Sequence, residues 1–245
     1  MPRKPTRIER WVAAFDVHGD EQCPATVAAF KAFCASFKPD VRIAGGDMFD
    51  FRWLRKSASD EEKSTDVRND LEMGLDFCRW FRPTAFLWGN HDHRIVRELD
   101  ATEGIRRSNA AAWIGAIEDA TPKAKHYPWC KQRGVMRYAD YAFVHGYCHG
   151  VGACRKSALT YGNVIMGHVH RRDMASVEGI PTRYGHSSGC LCKLDMDYTR
   201  GNMGTLAHSN GWVYGWRIGD RLVVMHAENV GGVWVYPTDQ PGASL

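Results

Sequence analysis

Short apolar runs alternate with stretches of helical periodicity along the first two thirds of the chain. Runs of four or five apolar residues are typical of buried strands, whereas apolar residues three and four positions apart are typical of helices packed on a sheet. The order of these patterns predicts a βαβαβ unit with right-handed crossovers. The predicted strands are residues 11–15, 41–44, 85–88, 141–144 and 163–166, and the predicted helices are residues 24–37, 67–81 and 152–161.

The last third of the chain changes to an alternation of apolar and polar residues with period two. Strands are predicted over residues 212–218, 221–225 and 232–236, with a tight turn at Gly219 and Asp220. We expect these strands to form a second, largely antiparallel sheet packed on the first. No linker or repeat divides the chain, so residues 1–245 are predicted to be one domain. The segment 93–137 lacks a clear sheet pattern, and we expect an insertion there that shapes specificity.

Composition narrows the class of protein. A chain of 245 residues with 44% hydrophobic residues can bury the core of one large domain. The net charge of +4 permits an anionic substrate but is too small to indicate nucleic acid by itself. The eight cysteines contain no CxxC pair, and Cys190 and Cys192 are the only two close in sequence, so we predict reduced thiols. No apolar run reaches membrane length, and we expect a cytoplasmic protein of a bacterial cell or a phage-infected host, without a membrane partner.

Polar side chains with metal-binding groups follow each of the five predicted strands. The carboxyl ends of parallel strands meet at one edge of a sheet, and residues two apart at a strand end point the same way. A single histidine is more often an ordinary core or surface residue than a ligand, but equivalent positions on five strands favour a shared site. The residues are Asp16, His18, Asp47, Asn90, His91, His145, His168 and His170.

The ligand types in this set indicate which cations would bind. Carboxylate oxygen and imidazole nitrogen without a thiolate suit Mn²⁺, Zn²⁺, Fe or Ni²⁺ better than a structural zinc site, which would be rich in sulfur. Two such ions about 3.5–4 Å apart, bridged by one carboxylate, would activate a water and clamp a phosphoryl group for in-line displacement.

Five short blocks in a fixed order resemble the signature of the calcineurin-like metallophosphoesterase superfamily. The resemblance covers roughly positions 12–172 and implies an α/β fold, a four-layer α-β-β-α sandwich with two mixed sheets. It also implies a site for two divalent metal ions at the carboxyl edge of the strands, for which we favour Mn²⁺ over Zn²⁺, Fe or Ni²⁺. The blocks are Asp16-Val17-His18, Gly46-Asp47 with Asp50, Gly89-Asn90-His91-Asp92, His145-Gly146 and Gly167-His168-Val169-His170.

The same resemblance implies a role for each residue of these blocks. One metal would be held by Asp16, His18, Asp47 and His170, and the other by Asp47, Asn90, His145 and His168, so that Asp47 bridges them. His91 would not be a ligand but would protonate the leaving oxygen or stabilise the transition state. A carboxylate, Asp50 or alternatively Asp92, would orient it.

Two departures from the pattern of phosphoprotein phosphatases bear on the substrate. The second block continues Asp50-Phe51-Arg52 instead of Asp-Arg-Gly, and the third ends in Asp92 instead of glutamate. We therefore expect a phosphodiesterase that hydrolyses nucleic acid or nucleotide diesters by attack of a metal-activated hydroxide. The predicted substrate contacts are Arg52, Arg55, His149 and Arg171.

Other functions stay open at this stage. A phosphomonoesterase or phosphoprotein phosphatase of the same superfamily is the first alternative, and a non-catalytic scaffold for DNA or protein is the second. Arg94 is one of several basic residues expected near the edge of the site, and these favour the diesterase. DNA binding would rest on basic residues interleaved with tryptophans, although tryptophans at helical spacing are more often core residues. The sequence leaves the oligomeric state open. The tryptophans are Trp53, Trp80, Trp113 and Trp129.

Overall fold

The computed structural model describes residues 8–196 and 203–238 and contains two mixed β-sheets with helices on their outer faces. The strands are β1 (Ile8–Ala14), β2 (Val41–Ala44), β3 (Ala85–Leu87), β4 (Lys125–Tyr127), β5 (Met136–Tyr138), β6 (Tyr141–Val144), β7 (Val164–Met166), β8 (Asp173–Val177), β9 (Arg183–Ser187), β10 (Gly211–Ile218), β11 (Arg221–Val230) and β12 (Val233–Val235). The helices are α1 (Pro24–Phe37), α2 (Asp60–Ser64), α3 (Val67–Phe81), α4 (His93–Arg97), α5 (Gly104–Ala120) and α6 (Ala153–Tyr161).

The first sheet has the strand order β12-β11-β10-β1-β2-β3-β4. Strands β1 to β4 are parallel neighbours, and β10 to β12 continue the sheet antiparallel from the other edge of β1. The predicted helices 24–37 and 67–81 coincide with α1 and α3. In α1 a proline occupies the first turn, and an apolar stripe that includes Phe30 and Phe33 faces the sheet. Both rings lie 5.3 Å from that of Trp212 on β10.

Three apolar layers separate the four layers of secondary structure. The outer face of the first sheet packs on α1, α3 and α5, and the outer face of the second sheet packs on α6. Between the two sheets the buried rings of Trp11 and Phe143 meet edge to face, with centroids 5.4 Å apart. The α-β-β-α sandwich with two mixed sheets, which the sequence motifs implied, is therefore confirmed.

One assignment of strands to sheets was wrong. Strands β10 to β12 were expected to form the second sheet, but β10 pairs with β1 from Ile8↔Ile218 to Ala13↔Val213 and so belongs to the first. Antiparallel addition there satisfies the edge of β1 that β2 leaves open. The second sheet instead has the order β5-β6-β7-β9-β8. Strands β8 and β9 are short and contain no run of more than two apolar residues, so apolar patterning did not reveal them.

The segment 93–137 contains more regular structure than its sequence pattern indicated. Helix α5 joins the outer helical layer through the buried residues Ala110 and Ile117, and β4 is the edge strand of the first sheet. A role of this segment in specificity, and a single domain over residues 1–245, stay predictions. Within residues 8–196 and 203–238, no helix combines the length and the apolar character needed to cross a membrane.

Candidate metal centre

The loops that follow β1, β2, β3, β6 and β7 meet at one edge of the sandwich. Backbone hydrogen bonds tie the first two loops together: the N–H of Asp16 donates to the carbonyl of Gly46, and the N–H of His18 to that of Asp47, both at 3.0 Å. The third loop approaches so closely that a Cβ on Gly89 would lie 2.0 Å from Asp47 Oδ1. Only glycine fits at that position.

The backbone at this edge is strained. Of the nine non-glycine residues with positive φ in the described chain, five are candidate metal ligands. Each such residue costs about 1–3 kcal/mol, and this cost persists only where surrounding contacts fix the conformation. Strain concentrated on one set of polar side chains is typical of a functional site. The five are Asp16, His18, Asp47, His168 and His170.

Four of the candidate ligands form a first, buried group around Asp16. The Nε2 atoms of His18 and His170 lie 3.2 Å apart, and His170 Nε2 lies 3.4 Å from Asp16 Oδ1. Asp47 Oδ2 lies 4.0 Å from His18 Nε2 and closes the group. Donor atoms of Asp16, His18 and Asp47 all lie within 4.8 Å of one another, which is compatible with a single bound cation.

A second group shares Asp47 with the first. His145 Nε2 lies 3.1 Å from Asp47 Oδ2 and 3.2 Å from Asn90 Oδ1. Donor atoms of His168, His145 and Asp47 also lie within 4.8 Å of one another. The structure thus brings together all seven residues that the sequence motifs assigned to two metals, with Asp47 between the two groups. Their assignment as ligands stays a prediction.

Three of the four histidines in these groups are oriented as metal-binding imidazoles usually are. Nδ1 of His18 faces Asp50 Oδ1 at 3.4 Å, and Nδ1 of His145 faces the carbonyl of Gly45 at 3.2 Å. Nδ1 of His170 contacts the Sγ of Cys192 at 3.8 Å. Because Nδ1 is occupied on the outer side, Nε2 of each ring points inward, and such outer partners fix the tautomer of metal ligands.

The charges of the centre also fit bound cations. Asp16 Oδ1 is buried and accepts no hydrogen bond from the described residues. Burial disfavours charge on His145 and His170, but Asp47 next to the first and Asp16 next to the second raise the pKa of each to about 9. The buried carboxylates therefore draw positive charge into the centre. Two divalent cations would supply that charge, and the oxygen and imidazole donors suit Mn²⁺, Zn²⁺ or Fe.

The other two histidines of the groups behave differently. Burial and then repulsion from His145 lower the pKa of His168 to about 3. Burial and then repulsion from His91 lower the pKa of His18 below its usual value. Both imidazoles are therefore neutral at physiological pH, as metal binding requires.

His91 lies at the first group but has a different set of partners. Its Nδ1 is 2.5 Å from Asp50 Oδ1, and its Nε2 is 3.1 Å from Nη2 of Arg94. The guanidinium can only donate, so the Nε2 it contacts must accept, and Nδ1 carries the proton shared with Asp50. Between the two carboxylates left open by the motifs, the structure makes Asp50 the partner of His91.

Asp92 and Asp70 support the site through the backbone. The carboxylate of Asp92 accepts hydrogen bonds from the N–H groups of Asp47, Phe49 and Gly89 at 2.8–3.0 Å. Asp70 on α3 accepts those of Asp50 and Phe51 at 2.9 and 2.7 Å. Burial, followed by repulsion from Asp47 for one and Asp50 for the other, raises the pKa of both carboxyls to about 7. These two residues fix the loop that presents Asp47 and Asp50.

Two of the four predicted substrate contacts lie in ion pairs near the site. Arg52 donates to both carboxylate oxygens of Asp20, at 2.7 and 2.6 Å, and to Asp50 Oδ2 at 3.2 Å. Arg55 pairs with Glu62 at 2.5 Å. Both guanidinium groups are therefore engaged by carboxylates of the chain itself. Their contact with substrate stays a prediction.

The other two predicted contacts lie on the side of the second group. Arg171 donates to the carbonyl of Gly150 at 2.7 Å and lies 3.6 Å from Asp173. The exposed His149 places its Nδ1 3.0 Å from His168 Nε2. Among the contacts seen within residues 8–196 and 203–238, that of His149 with His168 joins one of the four directly to a candidate ligand.

Three residues near the centre were missed as site residues. Arg94 and Asp70 are polar positions within helical segments, and both are buried, at 9% and 2% exposure. A charged residue on the apolar face of a helix is a sequence signal that could have indicated them. Cys192, next to His170, is fully buried, and its thiol could also reach a cation held by His18 and His170. Its spacing from the other blocks gave no comparable signal.

At the carboxyl edge of the two-sheet sandwich, two adjoining groups of oxygen and nitrogen ligands share one carboxylate, an arrangement typical of metal-dependent hydrolases. The sequence matches the family model of calcineurin-like phosphoesterases over residues 16–172, more than half of the chain, and the chain belongs to this family. It is accordingly a metal-dependent phosphoric ester hydrolase. No curated protein matches the sequence.

Solved structures with similar folds share little sequence with this chain. A predicted phosphoesterase from Streptococcus pneumoniae is 13% identical with a TM-score of 0.40, covering 94% of this chain and 98% of that one. A metallophosphoesterase from Sphaerobacter thermophilus is 13% identical with a TM-score of 0.46, covering 91% and 89%. Vacuolar protein sorting 29 from Cryptosporidium parvum is 10% identical with a TM-score of 0.47, covering 93% and 95%.

Proposed function

We propose that this chain is a phosphodiesterase that acts on nucleotide or nucleic acid diesters, with Mn²⁺ as the favoured metal. The choice of a diester over a monoester rests on the ion pairs of Arg52. A phosphomonoester dianion needs cationic donors for its extra charge, but Arg52 lies between the carboxylates of Asp20 and Asp50 and 3.7 Å from Glu21. A diester carries one negative charge fewer and places less demand on that arginine.

The metal ligands in this proposal are the two groups that share Asp47. When bound, two divalent cations supply a nucleophile at neutral pH and stabilise charge on the phosphoryl oxygens. The residues of the chain hold these cations and orient the substrate phosphate between His91 and the second group. The carboxylate and imidazole donors are compatible with Mn²⁺.

In this proposal His91 transfers a proton to the leaving oxygen. Asp50 fixes the ring through Nδ1, which directs Nε2 towards the site, and Nε2 lies 4.0 Å from Asp47 Oδ2. Arg94 donates to the same Nε2, so a substrate oxygen that attracts the guanidinium would release this nitrogen to hold a proton. Arg94 and His91 would then contact the phosphoryl and leaving oxygens together.

The proposal is tested with two chromogenic esters. Protein loaded with Mn²⁺ should hydrolyse bis-p-nitrophenyl phosphate with a higher kcat/KM than p-nitrophenyl phosphate. His91→Ala should lose most activity on the diester, while Asp76→Ala, on the exposed surface of α3, should lose none. A higher rate on the monoester would identify a phosphomonoesterase instead. Hydrolysis of neither ester, with or without His91, would refute the proposed reaction.

The nucleic acid or nucleotide partner and the cytoplasmic location stay predictions from the sequence. The first can be tested with single- and double-stranded DNA, RNA and cyclic nucleotides. All eight cysteines are free thiols, which is compatible with a reducing compartment.

A further inference from the structure

A cavity of about 400 Å³ opens beside the second group of candidate ligands. Its volume lies within the range of small-molecule sites, roughly 300–1,000 Å³. Asn90 and His168 form the wall shared with the metal centre. The remaining wall includes two aromatic rings, of Trp129 and Tyr147, and two basic side chains, Lys131 and His149.

The aromatic wall lies next to the second group of candidate ligands. The rings of Trp129 and Tyr147 pack with centroids 4.3 Å apart at an angle of 31°, and both residues are only half-buried. The same indole lies 5.6 Å from the ring of His145 and 6.3 Å from that of His168. A group attached to a phosphoryl held at these histidines would therefore reach the aromatic wall.

The position of the cavity identifies which ester group would occupy it. Neither His91 nor Asp50 lines it, whereas Asn90 and His168 do. The leaving oxygen must approach His91 to receive a proton. The group in the cavity is therefore the one that stays on phosphorus.

We propose that this cavity binds the retained nucleotidyl group of the diester, with the nucleobase against Trp129 and Tyr147. The inference rests on the proposed function and specifies its substrate class. The oxygen of water bonds to phosphorus and the water gives up one proton. The bond from phosphorus to the leaving oxygen breaks, its electron pair stays on that oxygen, and the oxygen takes up one proton through Nε2 of His91. The products are a nucleoside monophosphate and an alcohol. An indole offers a π-face to any base, so the contact selects for an aromatic ring and not for one base.

The test keeps the leaving group constant and varies the retained group. Thymidine 5′-p-nitrophenyl phosphate and methyl p-nitrophenyl phosphate both release p-nitrophenolate, so their chemistry at His91 is the same. Wild-type protein should prefer the thymidine ester in kcat/KM. Trp129→Leu should reduce that preference about 5- to 150-fold, the range for loss of one base-stacking contact. Trp129→Phe should retain most of it, and Trp80→Leu, on α3, should leave it unchanged.

A binding measurement separates this inference from the reaction. Thymidine 5′-monophosphate should bind Mn²⁺-loaded wild-type protein in calorimetry and should bind Trp129→Leu more weakly by a similar factor. Binding without hydrolysis of any ester would refute the proposed reaction and leave the cavity assignment standing. Equal losses on both esters, or no binding of the nucleotide to wild-type protein, would overturn the assignment.

A second probe needs no substitution and covers the case in which Trp129→Leu fails to fold. Cys130 also lines the cavity, and backbone N–H groups of Arg133 and Gln132 lower the pKa of its thiol. Thymidine 5′-monophosphate should slow alkylation of Cys130 by iodoacetamide at least severalfold, as followed by mass spectrometry. Inorganic phosphate should not slow it. Equal labelling with and without the nucleotide would refute occupancy of the cavity.

Discussion

Replacement of Asp92 by alanine should destabilise the protein strongly, although Asp92 is neither a candidate ligand nor the partner of His91. Its fully buried carboxylate is the acceptor for the N–H groups of Asp47, Phe49 and Gly89. A buried N–H left without a partner costs about 1–3 kcal/mol. Three N–H groups left without an acceptor would therefore cost roughly 3–9 kcal/mol before any compensation.

Part of that cost is offset within the native protein. Burial and repulsion from Asp47 raise the pKa of Asp92 to about 7, so the ionised carboxylate itself destabilises the native state. Its removal relieves that part. We expect a net loss of about 3–5 kcal/mol in the free energy of unfolding for Asp92→Ala, in the range of the largest single-site effects. Asp92→Asn keeps one oxygen for Asp47 and Gly89 but turns an amide NH₂ towards the N–H of Phe49, so its loss should be intermediate.

Urea unfolding at pH 8, with and without Mn²⁺, measures this loss. The control is Asp76→Ala, which removes an exposed carboxylate paired with Arg79 and should change stability by less than about 0.5 kcal/mol. Calorimetric titration should also show weaker Mn²⁺ binding by Asp92→Ala, because the loop that presents Asp47 loses its anchor. A loss below about 1 kcal/mol for Asp92→Ala would refute the support role that its hydrogen bonds indicate.

The remaining predictions concern proton transfer, metal binding and charge pairing. His91→Ala should lower kcat on the diester about 10²–10⁴-fold with unchanged metal content by elemental analysis, and an unchanged kcat would exclude its role. Because the pKa values of His145 and His170 are near 9 without cations, Mn²⁺ binding should release protons and tighten from pH 6 to 9, measurable by calorimetry in two buffers. The same raised values stabilise the cation-free protein fully below pH 6.5, and that stability should be lost as the pH rises through 9. Arg52→Gln should cost about 1–3 kcal/mol of stability and leave diester kcat/KM within a few-fold, whereas a 100-fold loss of activity in a stable variant would place Arg52 on the substrate.

The sequence predicted those parts of the fold that local patterns determine. The bounds of α1 and α3 and the strand ends that carry the site follow from apolar spacing and from Pro, Gly and polar punctuation, which are properties of neighbouring residues. The sheet that receives β10 depends on which strand edge is open, and this is a property of the assembled fold. Strand pairing over 200 residues of sequence separation leaves no local pattern.

The candidate site shows the same division. The motifs named all seven residues that the structure gathers around Asp47, because each block follows a strand at the same edge. The motifs left Asp50 and Asp92 as alternative partners of His91, since both belong to blocks that follow strands at the same edge of the sheet. Only the packed loops separate them: one carboxylate meets the imidazole, and the other accepts backbone N–H groups. The sequence does not distinguish Arg94 from other basic residues, whereas the structure places it against Nε2 of His91.

The buried carboxylates and the strained backbone of the candidate metal centre both lower the stability of the fold. Asp16, Asp47 and Asp50 are buried together, and five side chains of the candidate ligands stand on backbone of positive φ, so the fold is less stable for carrying this edge. The partners that restrain it are specific: Gly89 admits the approach of Asp47, and Asp92 holds the loop in place. Rigid presentation of closely spaced carboxylates lowers the stability of the cation-free state, and the same carboxylate oxygens gain most when a cation binds. The residues that destabilise the fold are therefore the ones that give it affinity for metal.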